Sequence, residues 1–456
     1  MDADSTRRAQ AERTLARHAK LLCSAVFVVG RNPYEYVEND LRTLNHYHDW
    51  DRCSVDIDAA EETVRLTTDA GLSKTAKHHE SLGATLLPDG ATDVEFDPVT
   101  VTPELDDPAT LEWPMGDRNA ADRDPDDVDT AALSKTLDRA VRPNPPQGMP
   151  PNTRALVVVK DGRIVGERYA SGFNRDTRHV SWSMGKSVTA ALIGILVGEG
   201  RFDVDDPAPI EAWRDDARSE ITIGDLLRMS SGLEFGRTND DVDVLPDVAA
   251  DHHHRVYTEA MDVFEFATSR PLEHEPNTVW RYRNCDPLTL GKIVRDTVES
   301  TGRDYLTFPQ RALYDRIGVR NMVHEPDPYG NLIMTGYNYG TARDWARFGL
   351  LHLQDGEWFG EQLLPPGWVD FVTTPAPAHP EGGYGGQFWL NRDREFAEVP
   401  EDAYSARGYR GQITMMIPSL DMVIVRLGHT PNYGPGSHNT LIREIIECVD
   451  GSAGAL

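Results

Sequence analysis

The chain has 456 residues, 39% apolar and 26% charged, which is enough for a large buried core and for two or three domains. Its 74 carboxylates against 46 lysines and arginines leave a formal net charge of −28, and this excludes nucleic acid as a partner because phosphate binding needs a basic surface. The acid is dispersed and only 7 of the 46 basic residues are lysine, the balance of a protein adapted to high salt, where self-repulsion is screened, or simply of an acidic mesophilic one.

The first residues do not read as a secretory signal. Asp2, Asp4 and Glu12 precede the first apolar run, Leu21 to Val29, and Arg31 and Asn32 follow it in place of a small-residue cleavage site. Residues 1–20 read as a charged helix and Leu21 to Val29 as a strand. No stretch approaches 18 apolar residues, so nothing is expected to span a membrane. Cys23, Cys53, Cys285 and Cys448 are far apart, with no metal-knuckle spacing and no disulfide scaffold; a cytoplasmic protein is compatible with them. Val55-Asp56-Ile57 and Thr63-Val64-Arg65-Leu66 alternate in the manner of strands. Residues 1–97 therefore make a small α+β extension in which no chemistry is visible, His78 and His79 facing solvent. Residues 98–127, with prolines at 98, 103, 108, 114 and 125 among many aspartates, form a linker or wrapping arm.

Leu133, Leu137, Ala140 and Val141 predict an amphipathic helix over 128–142, ended by Pro143, Pro145 and Pro146. Two apolar runs, 155–160 and 163–169, flank Asp161-Gly162, a strong hairpin signal. Next comes Ser181-Trp182-Ser183-Met184-Gly185-Lys186-Ser187, running into an apolar helix that must be buried because it has no polar face. Ser183 and Lys186 are one helical turn apart on one face, and Lys186 is the only lysine with a serine three positions before it. Burial lowers a lysine's pKa, so a neutral Lys186 can take the proton of the Ser183 hydroxyl. The plain alternative is a helix-capping serine beside a surface lysine.

Residues 221–232 predict a helix stopped at Gly232. Residues 233–256 are acidic and end in His252-His253-His254; consecutive histidines point in different directions, so a solvated loop is expected there rather than a metal site. Tyr282-Arg283-Asn284 precedes an apolar helix from Leu288. Residues 303–317 and 341–353 also predict helices, the second opened by a Thr341/Asp344 capping box. Strands follow at 412–417 and 422–427, preceded by Gly408-Tyr409-Arg410-Gly411 and followed by a closing helix over Leu441 to Val449. Strands at 155–169 and 412–427 bracket a helical middle. The economical fold is α+β: one mostly antiparallel sheet flanked by the first and last helices of 128–456, with a helical subdomain inserted at about 200–400.

Three motifs in this order, Ser183-Met184-Gly185-Lys186, Tyr282-Arg283-Asn284 and Gly408-Tyr409-Arg410-Gly411-Gln412, resemble the serine β-lactamase and penicillin-recognising superfamily, in particular its class C-like esterase and 6-aminohexanoate-dimer hydrolase branch. The resemblance covers roughly residues 128–450. A second Tyr-x-Asn, Tyr329-Gly330-Asn331, is set aside because no apolar helix follows it. The resemblance implies a β-lactamase/transpeptidase-like fold and an acyl-enzyme on Ser183, with Lys186 as base and Tyr282 relaying the proton to the leaving group. It implies that Asn284 holds Lys186 or the substrate's amide, that Gly411 lets substrate lie close along the strand, and that the N–H groups of Ser183 and Gln412 form the oxyanion hole. Where the family has Lys-Thr-Gly or a variant, this chain has Tyr409-Arg410-Gly411. Loss of that lysine disfavours β-lactams and cell-wall peptides as substrates. On a strand Tyr409 and Arg410 would point to opposite faces, so one alone would face the cleft. The expected activity is hydrolysis of a small amide or ester without metal or organic cofactor. A β-lactamase or D-amino-acid peptidase is the rival within the class, and a non-catalytic binding protein the rival outside it. The oligomeric state stays open.

Overall fold

The computed structural model describes residues 3–44, 49–118, 128–236, 252–431, 434 and 438–450. Helix α1 (Ala3–Cys23) opens the chain and continues into a wide helical turn, Ser24–Val29, ended by Gly30 at φ 76°. The strand expected over 21–29 is thus helical. A short apolar run fits a buried strand or a buried helix equally well; here Leu21, Leu22, Cys23 and Ala25 are all buried as the helix continues. Helix α2 (Pro33–Asn39) is capped by Asn32, whose side chain accepts from the Tyr34 and Glu35 N–H groups.

The antiparallel meander β1 (Cys53–Asp58), β2 (Thr63–Thr68), β3 (Ser73–His78) and β4 (Ala84–Leu86) follows. The expected alternation is present in β2: Val64 and Leu66 are buried under α1, and Arg65 is exposed. His78 and His79 do not face solvent. His78 stacks on Phe27 and bonds Glu62 at 2.9 Å; His79 is buried beside Phe96, and desolvation lowers its pKa. Segments distant in sequence cover this edge, which alternation within a strand cannot reveal.

Helix α3 (Thr130–Ala140) and the hairpin β5 (Thr153–Lys160) and β6 (Arg163–Tyr169) stand where they are expected. After the short β7 (His179–Val180) come α4 (Gly185–Gly198), α5 (Ile223–Leu227), α6 (His252–Thr258), α7 (Val263–Thr268) and α8 (Cys285–Ser300). Helix α5 begins at a Thr222/Asp225 capping box but ends well before Gly232, because Met229 adopts φ 58°. Of the helix expected over 303–317, the regular part is a wide turn at Gln310–Tyr314.

Strands β8 (Val323–His324) and β9 (Asn338–Gly340) join β7 in a small sheet. Helix α9 (Ala342–Leu353) carries the expected capping box, with Thr341 Oγ1 accepting from Asp344 N and donating to its carboxylate at 2.7 Å. A small hairpin, β10 (Glu357–Trp358) and β11 (Glu361–Gln362), precedes α10 (Trp368–Thr373) and β12 (Trp389–Leu390). The chain closes with β13 (Tyr404–Gly408), β14 (Gln412–Ile417), β15 (Met422–Gly428) and α11 (Asn439–Asp450).

The main sheet is fully antiparallel, in the order β12-β13-β14-β15-β5-β6. Its strands alternate. Leu156, Val158, Ile413, Met415 and Ile424 pack under α3 and α11 on one face, while Val157, Val159, Met416, Val423 and Val425 join the core of α4, α8 and α9 on the other. Each such side chain contributes about 1.5–3 kcal/mol by burial. The second core runs without a break to Leu15, Leu22, Val64 and Leu66 of the N-terminal segment. Lys20 of α1 enters it to pair with buried Glu325, which also accepts from Ser24 Oγ (2.7 Å) and Ala84 N (2.8 Å). Among the described residues no helix is long and apolar enough to cross a membrane.

Candidate active site

The Ser183 turn is built by close packing. Trp182 has φ 49°, a left-handed backbone that costs a bulky residue on the order of 1–3 kcal/mol. A tight turn, Trp182–Met184, then feeds α4. What holds it is Asn338 of β9. Its carbonyl accepts from Ser181 N (2.8 Å) and Ser181 Oγ (2.9 Å), and its Nδ2 donates to Trp182 O (3.3 Å) and Met334 O (3.1 Å). Its Oδ1 meets His324 Nδ1 at 2.7 Å, and His324 Nε2 meets the Tyr314 hydroxyl at 2.7 Å. The turn is thus backed by a buried polar chain reaching from β9 to the Gln310–Tyr314 turn.

Lys186 Nζ lies 3.1 Å from Ser183 Oγ and donates to Thr335 O, also at 3.1 Å. Lys186 is buried and, among the described residues, pairs with no carboxylate. Desolvation therefore pushes its ammonium well below the ordinary lysine range. The Nζ also sits 4.9 Å from the Tyr282 ring centroid. The Tyr282 phenol neighbours Ser183, whose hydroxyl opposes in part the rise in pKa that burial causes. Ser183 and Lys186 thus meet Tyr282, which lies far along the sequence, in one place.

Asn284, the residue before α8, is fully buried, and its Nδ2 donates to His253 O at 2.9 Å. Its partner is that carbonyl of α6, and the Tyr257 hydroxyl lies against it; a bond to Lys186 does not occur. Tyr257 donates to the same Thr335 carbonyl, at 2.7 Å, that receives Lys186. His252 and His253 are not in a solvated loop. His252 Nδ1 accepts from Gly236 N at 2.8 Å. The His253 ring lies 6.3 Å from that of Tyr282, and desolvation lowers its pKa. The rest of the expected loop, 237–251, lies outside the described residues. Tyr257, Thr335 and Asn338 carried no motif and no sequence signal singled them out, whereas His253 stood in the histidine run that was read only as a solvated loop. Among the described residues no group of three His, Cys, Asp or Glu side chains is arranged to hold a metal ion. In the second Tyr-x-Asn, Tyr329 points out, 40% exposed, while Asn331 is buried and tied to Asp327 and Asp262.

The third motif stands beside the Ser183 turn. A side chain on Gly408 would overlap Ser181 O, so the end of β13 can come this close only as glycine. Residues 409–411 are a tight turn rather than strand, with Arg410 at φ 61°. Alternation along a strand therefore does not govern them, yet they do diverge. Tyr409 is 39% exposed and meets the Trp182 ring edge-on at 5.7 Å. Arg410 is 5% exposed, and its guanidinium donates to Thr43 O at 2.6 Å. Gly411 has φ 82°, and a side chain there would meet Arg426 and His438; these neighbours and the turn account for glycine at this position. The Gln412 side chain is buried and bonded both ways to Gly428, accepting from its N–H at 2.9 Å and donating to its carbonyl.

A family model for β-lactamases matches residues 152–446. A 6-aminohexanoate-dimer hydrolase from Paenarthrobacter ureafaciens is 27% identical over 303 residues, 61% of this chain and 73% of that one. Among solved structures, a Bacillus anthracis protein provisionally assigned as a 6-aminohexanoate-dimer hydrolase superposes with TM-score 0.56 at 22% identity, over 76% of this chain and 90% of its own. A family VIII carboxylesterase superposes with TM-score 0.54 at 14% identity, over 69% and 97%. These structural likenesses are likenesses of fold.

Proposed function

The chain belongs to the β-lactamase family, a family of serine hydrolases, and from that premise we propose that it cleaves a small amide or ester through an acyl-enzyme on Ser183. The observation that carries this reading is the 3.1 Å approach of Lys186 Nζ to Ser183 Oγ in a buried setting that, among the described residues, holds no carboxylate partner for it. A neutral amine there donates to Thr335 O and aims its lone pair at the serine hydroxyl. Ser183 Oγ attacks the carbonyl carbon as its proton passes to Lys186. The developing oxyanion is received by the N–H groups of Ser183 and Gln412. The Tyr282 phenol, kept protonated by burial, passes a proton to the leaving group as the acyl–heteroatom bond breaks. Water then releases the acyl group by the reverse sequence.

The substrate class follows from Tyr409 and Arg410. Arg410 is turned to Thr43 and Tyr409 is the exposed member, so this position offers the cleft an aromatic edge and no cation. Neutral acyl groups on short esters or linear amides fit it, and a linear amide is also what the 6-aminohexanoate-dimer hydrolase relative is named for. The test is intact-mass measurement after a serine-acylating fluorophosphonate. A single adduct that is lost in folded Ser183→Ala supports the reading; an adduct that persists in that variant overturns it.

A further inference from the structure

The N-terminal segment reaches the 409–412 turn through residues 40–43. Thr43 O receives the Arg410 guanidinium (2.6 Å), and Thr43 Oγ1 bonds His429 Nε2 (2.7 Å). Three residues earlier, buried Asp40 takes both guanidinium nitrogens of Arg154 on β5 (2.6 and 2.7 Å), with Arg31 at 2.9 Å and His429 at 3.6 Å. Burial opposes the Asp40 charge, but Arg154, His429 and Arg31 outweigh it and hold the carboxyl at about 2. Residues 40–43 are thereby clipped to β5, to the segment after β15 and to Arg410 together.

Arg410 occupies the left-handed region at φ 61°, where a non-glycine residue persists only if its surroundings over-determine it. The turn it anchors carries Tyr409 onto Trp182 and leads directly into Gln412, whose partner across the strands is Gly408. Gly408 in turn abuts Ser181 O. A shift of this turn would move the start of β14 relative to Ser183, and displacements near 1 Å are costly to catalysis.

We propose that residues 40–43 brace the 409–412 turn for acyl transfer, with Arg410 a positioning residue that acts through Gln412 and Tyr409; this rests on the acyl-enzyme reading of Ser183. The brace gives the N-terminal segment a part in the active site although it supplies no reacting group.

The test uses the full chain with Asp40→Asn, which weakens the clip, and Arg410→Gly, which suits φ 61° but removes the anchor. Arg139→Ala, which breaks the distant Arg139–Glu444 pair, is the stability control. Steady-state hydrolysis of p-nitrophenyl butyrate and of a carboxylate-bearing p-nitrophenyl ester is measured beside amide hydrogen exchange over 409–414. The expected result is a tenfold or larger fall in kcat with KM within twofold, equal for both esters, and faster exchange over 409–414 in both brace variants. The control keeps its kcat. Folded brace variants with parental kcat overturn the proposal, as does a loss confined to the carboxylate ester, which would make Arg410 a substrate contact. A control that loses as much kcat also overturns it. If the parent forms no serine adduct, the acyl-enzyme reading fails separately, and unchanged exchange over 409–414 still overturns the brace.

Discussion

Asn338 occupies the space that a side chain on Gly185 would need. A Cβ on Gly185 would overlap both Asn338 Nδ2 and Met334 O; that amide closes the 334–338 segment on itself through Met334 O and ties it to the nucleophile turn through Trp182 O. Glycine between Ser183 and Lys186 is therefore a packing requirement, not a matter of helix propensity, which it lowers by about 1 kcal/mol.

Gly185→Ala is expected to push the 334–338 segment, and with it the Thr335 carbonyl, away from Lys186. Overpacking of this kind costs about 1–3 kcal/mol, and a misplacement near 1 Å costs roughly 10²-fold in rate. Thermal melts and kcat for p-nitrophenyl butyrate measure the two effects. A variant with parental rate and stability would show that the segment yields freely.

Lys186→Met is expected to abolish hydrolysis while raising stability. The folded chain holds this amine well below the unfolded value of 10.5, so the unfolded state binds more protons below pH 10.5. The parent's stability therefore falls with decreasing pH from 10.5 to the folded pKa, by ~1.4 kcal/mol for each unit of depression. Methionine removes that cost. The gain in melting temperature over the parent should be large at neutral pH and shrink as pH approaches 10.5; a lower melting temperature at pH 7 would mean the amine is stabilising.

The pH dependence of kcat/KM has the matching sign. Activity requires neutral Lys186, so the rate rises with pH through its lowered pKa and then holds. Tyr282 must stay protonated to donate, and burial raises its pKa, so the alkaline limb is displaced above the ordinary phenol range. Profiles in parent and Tyr282→Phe check this. An acid limb near pH 10 in the parent would mean a solvated, charged lysine.

Substrate choice follows from the buried Arg410. The kcat/KM for nitrocefin is expected to be lower than for p-nitrophenyl butyrate and a linear aminohexanoate dimer. If nitrocefin leads by tenfold, about 1.4 kcal/mol in transition-state binding, the branch assignment is wrong.

The net charge of −28 implies self-repulsion that salt relieves. The melting temperature is expected to climb from low to molar sodium chloride. A flat response would place the protein among ordinary acidic mesophiles.

By itself the sequence determined what short-range forces decide. The Asp161-Gly162 hairpin, the Thr341 capping box and the one-turn spacing of Ser183 and Lys186 all appear where local pattern put them, because each depends on residues within a few positions. The run 21–29 was not decided locally, since its apolar residues satisfy strand and buried helix alike, and packing against the core chose helix. Only the tertiary structure decided who completes the site. Lys186 finds its carbonyl on Thr335, 149 residues on, and Arg410 finds Thr43, 367 residues back. Such partners are selected by burial and by the cost of leaving a buried donor without an acceptor, conditions that exist only once the chain has closed on itself.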